Sequence, residues 1–214
     1  MGGLILYLHG FCSSPASWKA RLLGEEMARR GFRVTAVDFS SGMLAIARAN
    51  ASAAGVEVEF IECAAQDFTC ERQFDAAISL CEGALCLFAD SDDVWRKDMA
   101  IFANMAKMLA PGRPFLVTVL SAMRLIRTLS DSDVASGAVD LFTMTTRFTN
   151  GVDVDGRRIS IKGIERYYTP PELVRMVNRV GLKVDRVYGG TAGNWRRGRI
   201  QLDEIEFMAV GHRI

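Results

Sequence analysis

An α/β three-layer sandwich is the architecture to expect from this chain of 214 residues. Three observations lead there. Short apolar runs alternate along the chain with segments of helical periodicity. The apolar runs are continuous rather than alternating with polar residues, as in parallel strands buried on both faces. Half the residues are hydrophobic and 24% are charged, which is enough to bury one core and keep its surface wet.

The elements follow in order. Leu4-Ile5-Leu6-Tyr7-Leu8 reads as a buried strand. Ser14 then offers a helix cap, and Pro15 suits the first helical position because its missing N–H is not needed there. Trp18, Leu22, Leu23 and Met27 form the apolar stripe of a helix that ends near Gly31. A second strand covers 33–38 (R-V-T-A-V-D), and a second helix runs from Met43 to Ala54, where Gly55 stops it. Strands are expected at 56–61 and 74–80, a long helix at about 94–109, and a fifth strand at 114–120 behind Pro111-Gly112. Between residues 140 and 168 the pattern changes. Residues 142–148 and 158–168 flank Asn150-Gly151 and Asp155-Gly156, both strong turn dipeptides, so a β-hairpin excursion is expected. Thr169 caps a helix over 170–180, and strands at 182–188 and 205–211 close the chain around a Gly/Arg-rich loop. No repeat or linker divides it, so residues 1–214 read as one domain.

Composition excludes several function classes. The five cysteines (Cys12, Cys63, Cys70, Cys81 and Cys86) are odd in number and contain no C-x-x-C pair. Neither a disulfide framework nor a zinc ribbon is signalled. Two histidines, His9 and His212, leave little for a metal centre, and no metal is expected. The net charge of +1 gives no drive toward nucleic acid. The Arg157-Arg158 and Arg196-Arg197-Arg199 clusters come without a recognition motif. The apolar stretch at 99–123 is interrupted by Lys107 and by P-G-R-P, so no membrane span is expected. Residues 4–8 are too short for a signal peptide, and a cytoplasmic location is the expectation.

Four segments carry a resemblance. They are R-G-F-R-V-T-A-V-D-F-S-S-G-M-L-A-I-A-R (30–48), F-D-A-A-I-S-L-C-E-G-A-L (74–85), A-K-M-L-A-P-G-R-P-F-L-V-T-V-L (106–120) and Y-Y-T-P-P-E-L-V-R-M-V-N-R-V-G-L-K-V (167–184). In order and spacing, residues 31–214 resemble a class I S-adenosylmethionine-dependent methyltransferase. The tail Y-G-G-T-A-G-N-W…L-D-E-I-E-F-M-A-V (188–210) is similar to a branch acting on small molecules. The resemblance implies a Rossmann-like, seven-stranded mixed sheet of order 3-2-1-4-5-7-6 with the last strand antiparallel. It implies S-adenosylmethionine as cofactor and a small-molecule methyl acceptor. It also implies a cofactor site of Gly10, Asp38, Phe39, Asp67, Phe68, Leu80 and Glu82.

Asp38 ends the second strand, where ligands of open α/β sheets bind. Its carboxylate either accepts the ribose hydroxyls or caps the next helix, with Ser40 as the rival cap. The family's usual acidic position after the third strand falls on Ala64 here. Asp67 either takes over its contact with the adenine amino group or faces solvent, and Phe68 can pack on the ring. Leu80 and Glu82 follow the fourth strand. Glu82 either meets the cofactor's ammonium group, orients an acceptor or is a surface carboxylate. No catalytic base is assigned, because the sulfonium is already activated and the protein chiefly aligns the acceptor and excludes water. The hairpin excursion and the loop bearing Tyr188, Asn194, Trp195, Arg196 and Arg197 either roof the acceptor or join two copies. Monomer and homodimer both stay open.

The front of the chain departs from the family. A glycine-rich loop should follow the first strand. Here the residues are His9-Gly10-Phe11-Cys12-Ser13-Ser14, in which only Gly10 remains. Weakened or lost cofactor binding is therefore expected, although free N–H groups at the following helix N-terminus suit the cofactor's carboxylate. Instead, L-I-L-Y-L-H-G-F-C-S-S-P-A-S-W-K-A-R-L-L (4–23) resembles the N-terminus of small α/β-hydrolase-fold esterases. No serine has a nucleophile-elbow context, so esterase chemistry is not expected. The two resemblances meet at about 28–31. A hydrolase-like βα unit on a methyltransferase-like body could be a designed or recombinant chimera, or a natural fusion or divergent gene start. A catalytically inactive scaffold built from the two fragments is the alternative to an enzyme.

Overall fold

A computed structural model of the chain describes residues 3–8, 26–80, 84–154, 157–191 and 193–214. The first strand, β1 (Leu4–Leu8), is central. A helical segment at 26–29 leads through Gly31 into β2 (Arg33–Asp38). Helix α1 (Ser41–Ala54) starts two residues earlier than its apolar pattern, because Ser40 caps it. It ends at Gly55, whose φ of 65° is left-handed and open to glycine at low cost. β3 (Val58–Glu62) and β4 (Ala76–Ser79) follow.

A two-residue strand β5 (Leu87–Phe88) precedes α2 (Arg96–Met108). The first turn of α2 is held by Asp93, whose Oδ1 accepts the N–H groups of Trp95 at 2.9 Å and Arg96 at 3.1 Å. β6 (Pro114–Ser121) leads into two short helices that the sequence pattern did not announce, α3 (Ala122–Thr128) and α4 (Asp131–Ala135). Then come β7 (Val139–Asp140), β8 (Thr145–Val154) and β9 (Arg157–Tyr168). Helix α5 (Pro170–Arg179) is capped by Thr169, as expected. β10 (Leu182–Thr191), β11 (Asn194–Trp195) and β12 (Glu206–Arg213) complete the chain.

The main path of the sheet is β3-β2-β1-β4-β6-β12-β10, with β11 added at the edge. Its first five strands are parallel, and β12 is antiparallel to both neighbours. This is the order 3-2-1-4-5-7-6 in the numbering of the expected seven strands. The strand count is different. Among the described residues twelve strands belong to the hydrogen-bonded system, not seven. The additional ones are β5, β7, β8, β9 and β11, and β6 shows why they join. Along β6, β4 pairs only with Phe115–Val117 while β12 pairs along the other edge, so beyond Val117 the edge of β6 that faces β4 is left open. Its free edge at Leu120 and Ser121 pairs with Tyr167 and Tyr168 of β9. The hairpin excursion is thereby stitched to the main sheet.

A second correction concerns the hairpin turn. Asn150-Gly151 lies inside β8, and Gly151 pairs with Ser160. A Cβ on Gly151 would fall 2.5 Å from Arg158 Nε, so this glycine makes room for a cross-strand side chain instead of turning the chain. The pairing of β8 with β9 runs on to Val154 and Arg157, and Asp155-Gly156 lie outside the described residues.

Both faces of the sheet are covered. On one, Leu6, Leu8, Val37, Val117, Val119 and Phe207 pack against Ile101, Phe102 and Met105 of α2 and Leu173 and Val177 of α5. On the other, Ile5, Tyr7, Val34 and Ala36 pack with Met27. Each fully buried aliphatic side chain of this kind contributes about 1.5–3 kcal/mol. The result is a rigid platform whose strands β1 to β4 and β6 all end on one side.

Candidate functional site

Those carboxyl ends define the site. Leu8 of β1 is level with Val37 of β2 and Ser79 of β4, and Asp38 is level with Glu62 of β3. From β1 the chain order runs outward to β2 and β3 on one side and to β4 and β6 on the other. That reversal opens the crevice in which such sheets bind ligands.

Asp38 is the last residue of β2 and only 3% exposed. Its Oδ1 accepts the N–H of Ser40 at 2.8 Å, and its carbonyl accepts the N–H of Cys63 at 3.0 Å. The helix cap is Ser40, whose Oγ accepts the Met43 N–H at 3.3 Å. Of the two rival caps, Ser40 caps α1, and Asp38 orients the turn into it. Phe39, next in the chain, is 47% exposed.

Residues 64–68 form a tight turn after β3. The N–H groups of Asp67 and Phe68 both donate to the Ala64 carbonyl, at 2.9 and 3.0 Å. Asn104 on α2 pins the turn from beneath, donating from Nδ2 to the carbonyls of Gln66 at 2.7 Å and Ala65 at 3.3 Å. Asp67 is exposed at the tip, whereas Phe68 is 5% exposed and packs in the main core. The Phe68 ring therefore supports the turn from inside and presents no open face for stacking. Cys63 lies between Asp38 and this turn. Burial, and then the Asp67 carboxylate, push its thiol pKa up, so it stays a neutral thiol. Leu80 is half-buried just past Ser79. Gly10 and Glu82 lie outside the described residues, as do His9, Phe11 and Cys12.

A buried polar network ties α2 to β9 and α5. Asp98 of α2 accepts hydrogen bonds from the Tyr168 hydroxyl and, at 3.4 Å, from the Cys86 N–H. Arg166 is fully buried and salt-bridged to Glu172 at 2.9 Å. It donates to the Val94 carbonyl at 2.6 Å and lies 4.4 Å from the Trp95 ring centroid. Cys86 adopts a φ of 70°, rare for a residue with a side chain, and Asp98 holds that backbone in place. The network was not foreseen. Its signal was present, since Asp98 precedes Ile101, Phe102 and Met105 at helical spacing on the buried face of α2.

Among the described residues, no group of three or more His, Cys, Asp or Glu side chains could hold a metal ion. None of the described helices is long and apolar enough to cross a membrane. His212 pairs with Asp185 at 2.8 Å, and its register with Pro114 puts it at the opposite end of the sheet from Asp38.

Residues 22–112 match the family model of the methyltransferase domain. That match begins before the seam at 28–31 and runs through β2, α1, β3, β4 and α2. No curated protein matches the chain in sequence. Solved structures resemble it closely in shape. The CcbJ methyltransferase from Streptomyces caelestis superposes with a TM-score of 0.70 at 18% identity, covering 99% of this chain and 84% of its own. An S-adenosylmethionine-dependent methyltransferase from Methanosarcina mazei gives 0.68 at 18% identity, covering 100% and 93%. The glycopeptide N-methyltransferase MtfA, complexed with S-adenosylhomocysteine, gives 0.61 at 15% identity, covering 100% and 82%. The chain has the Rossmann-like fold of these S-adenosylmethionine-dependent methyltransferases.

Proposed function

We propose that the protein is an S-adenosylmethionine-dependent methyltransferase acting on a small molecule. One observation carries the reading. Asp38 is a buried carboxylate at the end of β2, beside the crevice, and the helix that follows is capped by Ser40. A carboxylate so held suits the paired hydroxyls of a ribose, which donate to it as charge-assisted hydrogen bonds.

The neighbouring residues fit the rest of that cofactor. Asp67, exposed on a turn braced by Asn104, is an acceptor for the adenine amino group. Phe39, next to Asp38 in the chain, offers an exposed ring. Leu80 supplies apolar contact, and Gly10 and Glu82 are assigned to the methionine end by sequence order. When bound, S-adenosylmethionine supplies a methyl group already activated by its sulfonium. The chain then has to hold an acceptor in line and exclude water.

The loop sequence His9-Gly10-Phe11-Cys12 carries side chains where bare backbone is expected, and it favours a second reading. In that reading the chain is an inactive scaffold, whether a chimera or a divergent natural product. Calorimetric titration with S-adenosylhomocysteine separates the two. Impaired but real binding corresponds to a Kd of roughly 10–500 μM, lost on Asp38→Ala. No heat from the wild-type protein supports the scaffold. A Kd below about 1 μM shows that the loop glycines are dispensable here.

A further inference from the structure

The buried network at Asp98 converges on one strained residue. Cys86 is fully buried and holds a φ of 70°. A residue with a Cβ disfavours that left-handed conformation by roughly 5- to 30-fold. Hydrogen bonds from α2, β9 and β6 keep it there. The Cys86 N–H donates to Asp98 Oδ2 at 3.4 Å, its carbonyl accepts the Arg166 N–H at 2.8 Å, and its Sγ accepts the Leu120 N–H at 3.4 Å. The Tyr168 hydroxyl donates to the same Asp98 oxygen and so aims it.

Stability alone does not account for this arrangement. Asp98 Oδ1 and Arg166 Nε are buried with no hydrogen-bond partner among the described residues. A polar network left partly unsatisfied stabilises less than an apolar filling of the same space. Strained backbone persists only where its surroundings fix it, and it gathers at functional sites. The place of Cys86 is consistent with one. Leu120 lies beyond Val117 toward the carboxyl end of β6, which puts Cys86 at the end of the sheet where Asp38 ends β2. Ser79, paired with Leu8 and Val117, fixes the chain at the end of β4. Cys86 is a second fixed point, and Leu80 and Glu82 fall between the two in the sequence.

We propose that Asp98 and Tyr168 are positioning residues for the cofactor: by holding Cys86 left-handed they fix the chain beyond Leu80 and Glu82, and with it the methionine end of the site. This rests on the methyltransferase reading and adds to it two residues that act through a third. Asp98 matters only through Cys86, so its effect depends on the residue at that position. Glycine adopts a φ of 70° without steric cost and does not need the clamp.

The test titrates the full chain with S-adenosylhomocysteine, well below Tm. Asp98→Ala is expected to weaken binding about tenfold or more. Cys86→Gly alone is expected to stay within about threefold of wild type. In that background Asp98→Ala is expected to weaken binding about threefold at most. Asp98→Asn keeps an oxygen that accepts both hydrogen bonds, so binding within about twofold of wild type is expected. Tyr168→Phe removes only the hydroxyl and is expected to weaken binding about threefold or more. It carries the same two-background comparison if Asp98→Ala does not fold. Equal losses with and without Cys86→Gly overturn the proposal. So does a fall in Tm with affinity unchanged, which marks the network as structural only. If the wild-type protein binds no S-adenosylhomocysteine, the methyltransferase reading fails. Hydrogen exchange of the Cys86 and Leu120 amides in the protein alone then reads the clamp. Exchange about tenfold faster or more is expected in Asp98→Ala and Tyr168→Phe, and unchanged exchange overturns it.

Discussion

Replacing Asp98 by asparagine tests whether the buried network beside β4 is built around a neutral or a charged carboxyl group. Asp98 is fully buried, and desolvation outweighs its contacts with Tyr168, Arg166, the Cys86 N–H and Lys97, pushing its pKa up to about 6. In the unfolded chain an aspartate titrates near ~3.9. The folded state thus holds this proton more tightly. Its stabilising contribution is complete below the unfolded value and is lost as pH rises through about 6. About two pK units at ~1.4 kcal/mol each give about 3 kcal/mol lost between pH 4 and pH 7. An asparagine side chain at this position has the shape of the protonated acid and does not titrate. The stability of Asp98→Asn relative to wild type is therefore expected to rise by about 3 kcal/mol over that range, a Tm difference of roughly 6–12 °C. Urea unfolding of both proteins at half-unit pH steps reads it directly. Glu26, Glu59, Asp92, Asp133 and Asp140 have lowered pKa values and the opposite sign, but they are common to both proteins and cancel in the difference. A difference that does not change with pH refutes the reasoning. It would mean that Arg166 and Tyr168 keep Asp98 ionised in the folded protein.

Two further substitutions probe the scaffold of the site. Asn104→Ala removes both hydrogen bonds that brace the 64–68 turn. It is expected to cost about 1–2 kcal/mol in urea unfolding and to weaken S-adenosylhomocysteine binding about threefold or more. Gly163→Ala would set a Cβ 2.6 Å from Phe148 Cζ across the β8–β9 hairpin. Overpacking of that order costs about 1–3 kcal/mol. Faster proteolysis of the hairpin is expected, with S-adenosylhomocysteine affinity unchanged.

The parts of the fold that could be read ahead are those where one physical rule acts alone. β2 was legible at 33–38 because its buried run stands between Gly31 and a polar cap. Thr169 before Pro170-Pro171 fixed the start of α5. The misses arise where tertiary contacts decide. Asn150-Gly151 has turn chemistry, yet the pairing of β8 with β9 carries through it because Arg158 needs the space above Gly151. The two-residue strands β5, β7 and β11 have no periodicity to read, and pairing partners alone define them. Helix α4 is polar and held by its capping box at Ser130 and Asp133, so no apolar stripe gave it away. The places of Asp38 at the end of β2 and of Asp67 after β3 were visible because sequence order put them at strand ends. The core packing of Phe68 was not legible because an aromatic ring near a ligand and an aromatic ring in a core look alike in one dimension.

The burial of Glu204 and Glu206 was hidden for a related reason. In the sequence they belong to L-D-E-I-E-F, where two glutamates before an apolar strand read as an exposed strand entry. Only the sheet order makes them unusual. β12 runs antiparallel between β6 and β10, so its beginning, not its end, joins the carboxyl ends of the parallel strands. The same reversal sends His212 to the far side, away from any chemistry at Asp38. The start of β12 thus brings Glu206 to the same end of the sheet as Asp38. Asp38 lies on β2 and the β8–β9 hairpin joins the sheet at β6, with β1 and β4 between them. Changes more than about 10 Å apart with no shared partner should add independently. An Asp38→Ala, Gly163→Ala double variant is therefore expected to lose S-adenosylhomocysteine affinity to the extent Asp38→Ala does, and protease resistance of the hairpin to the extent Gly163→Ala does.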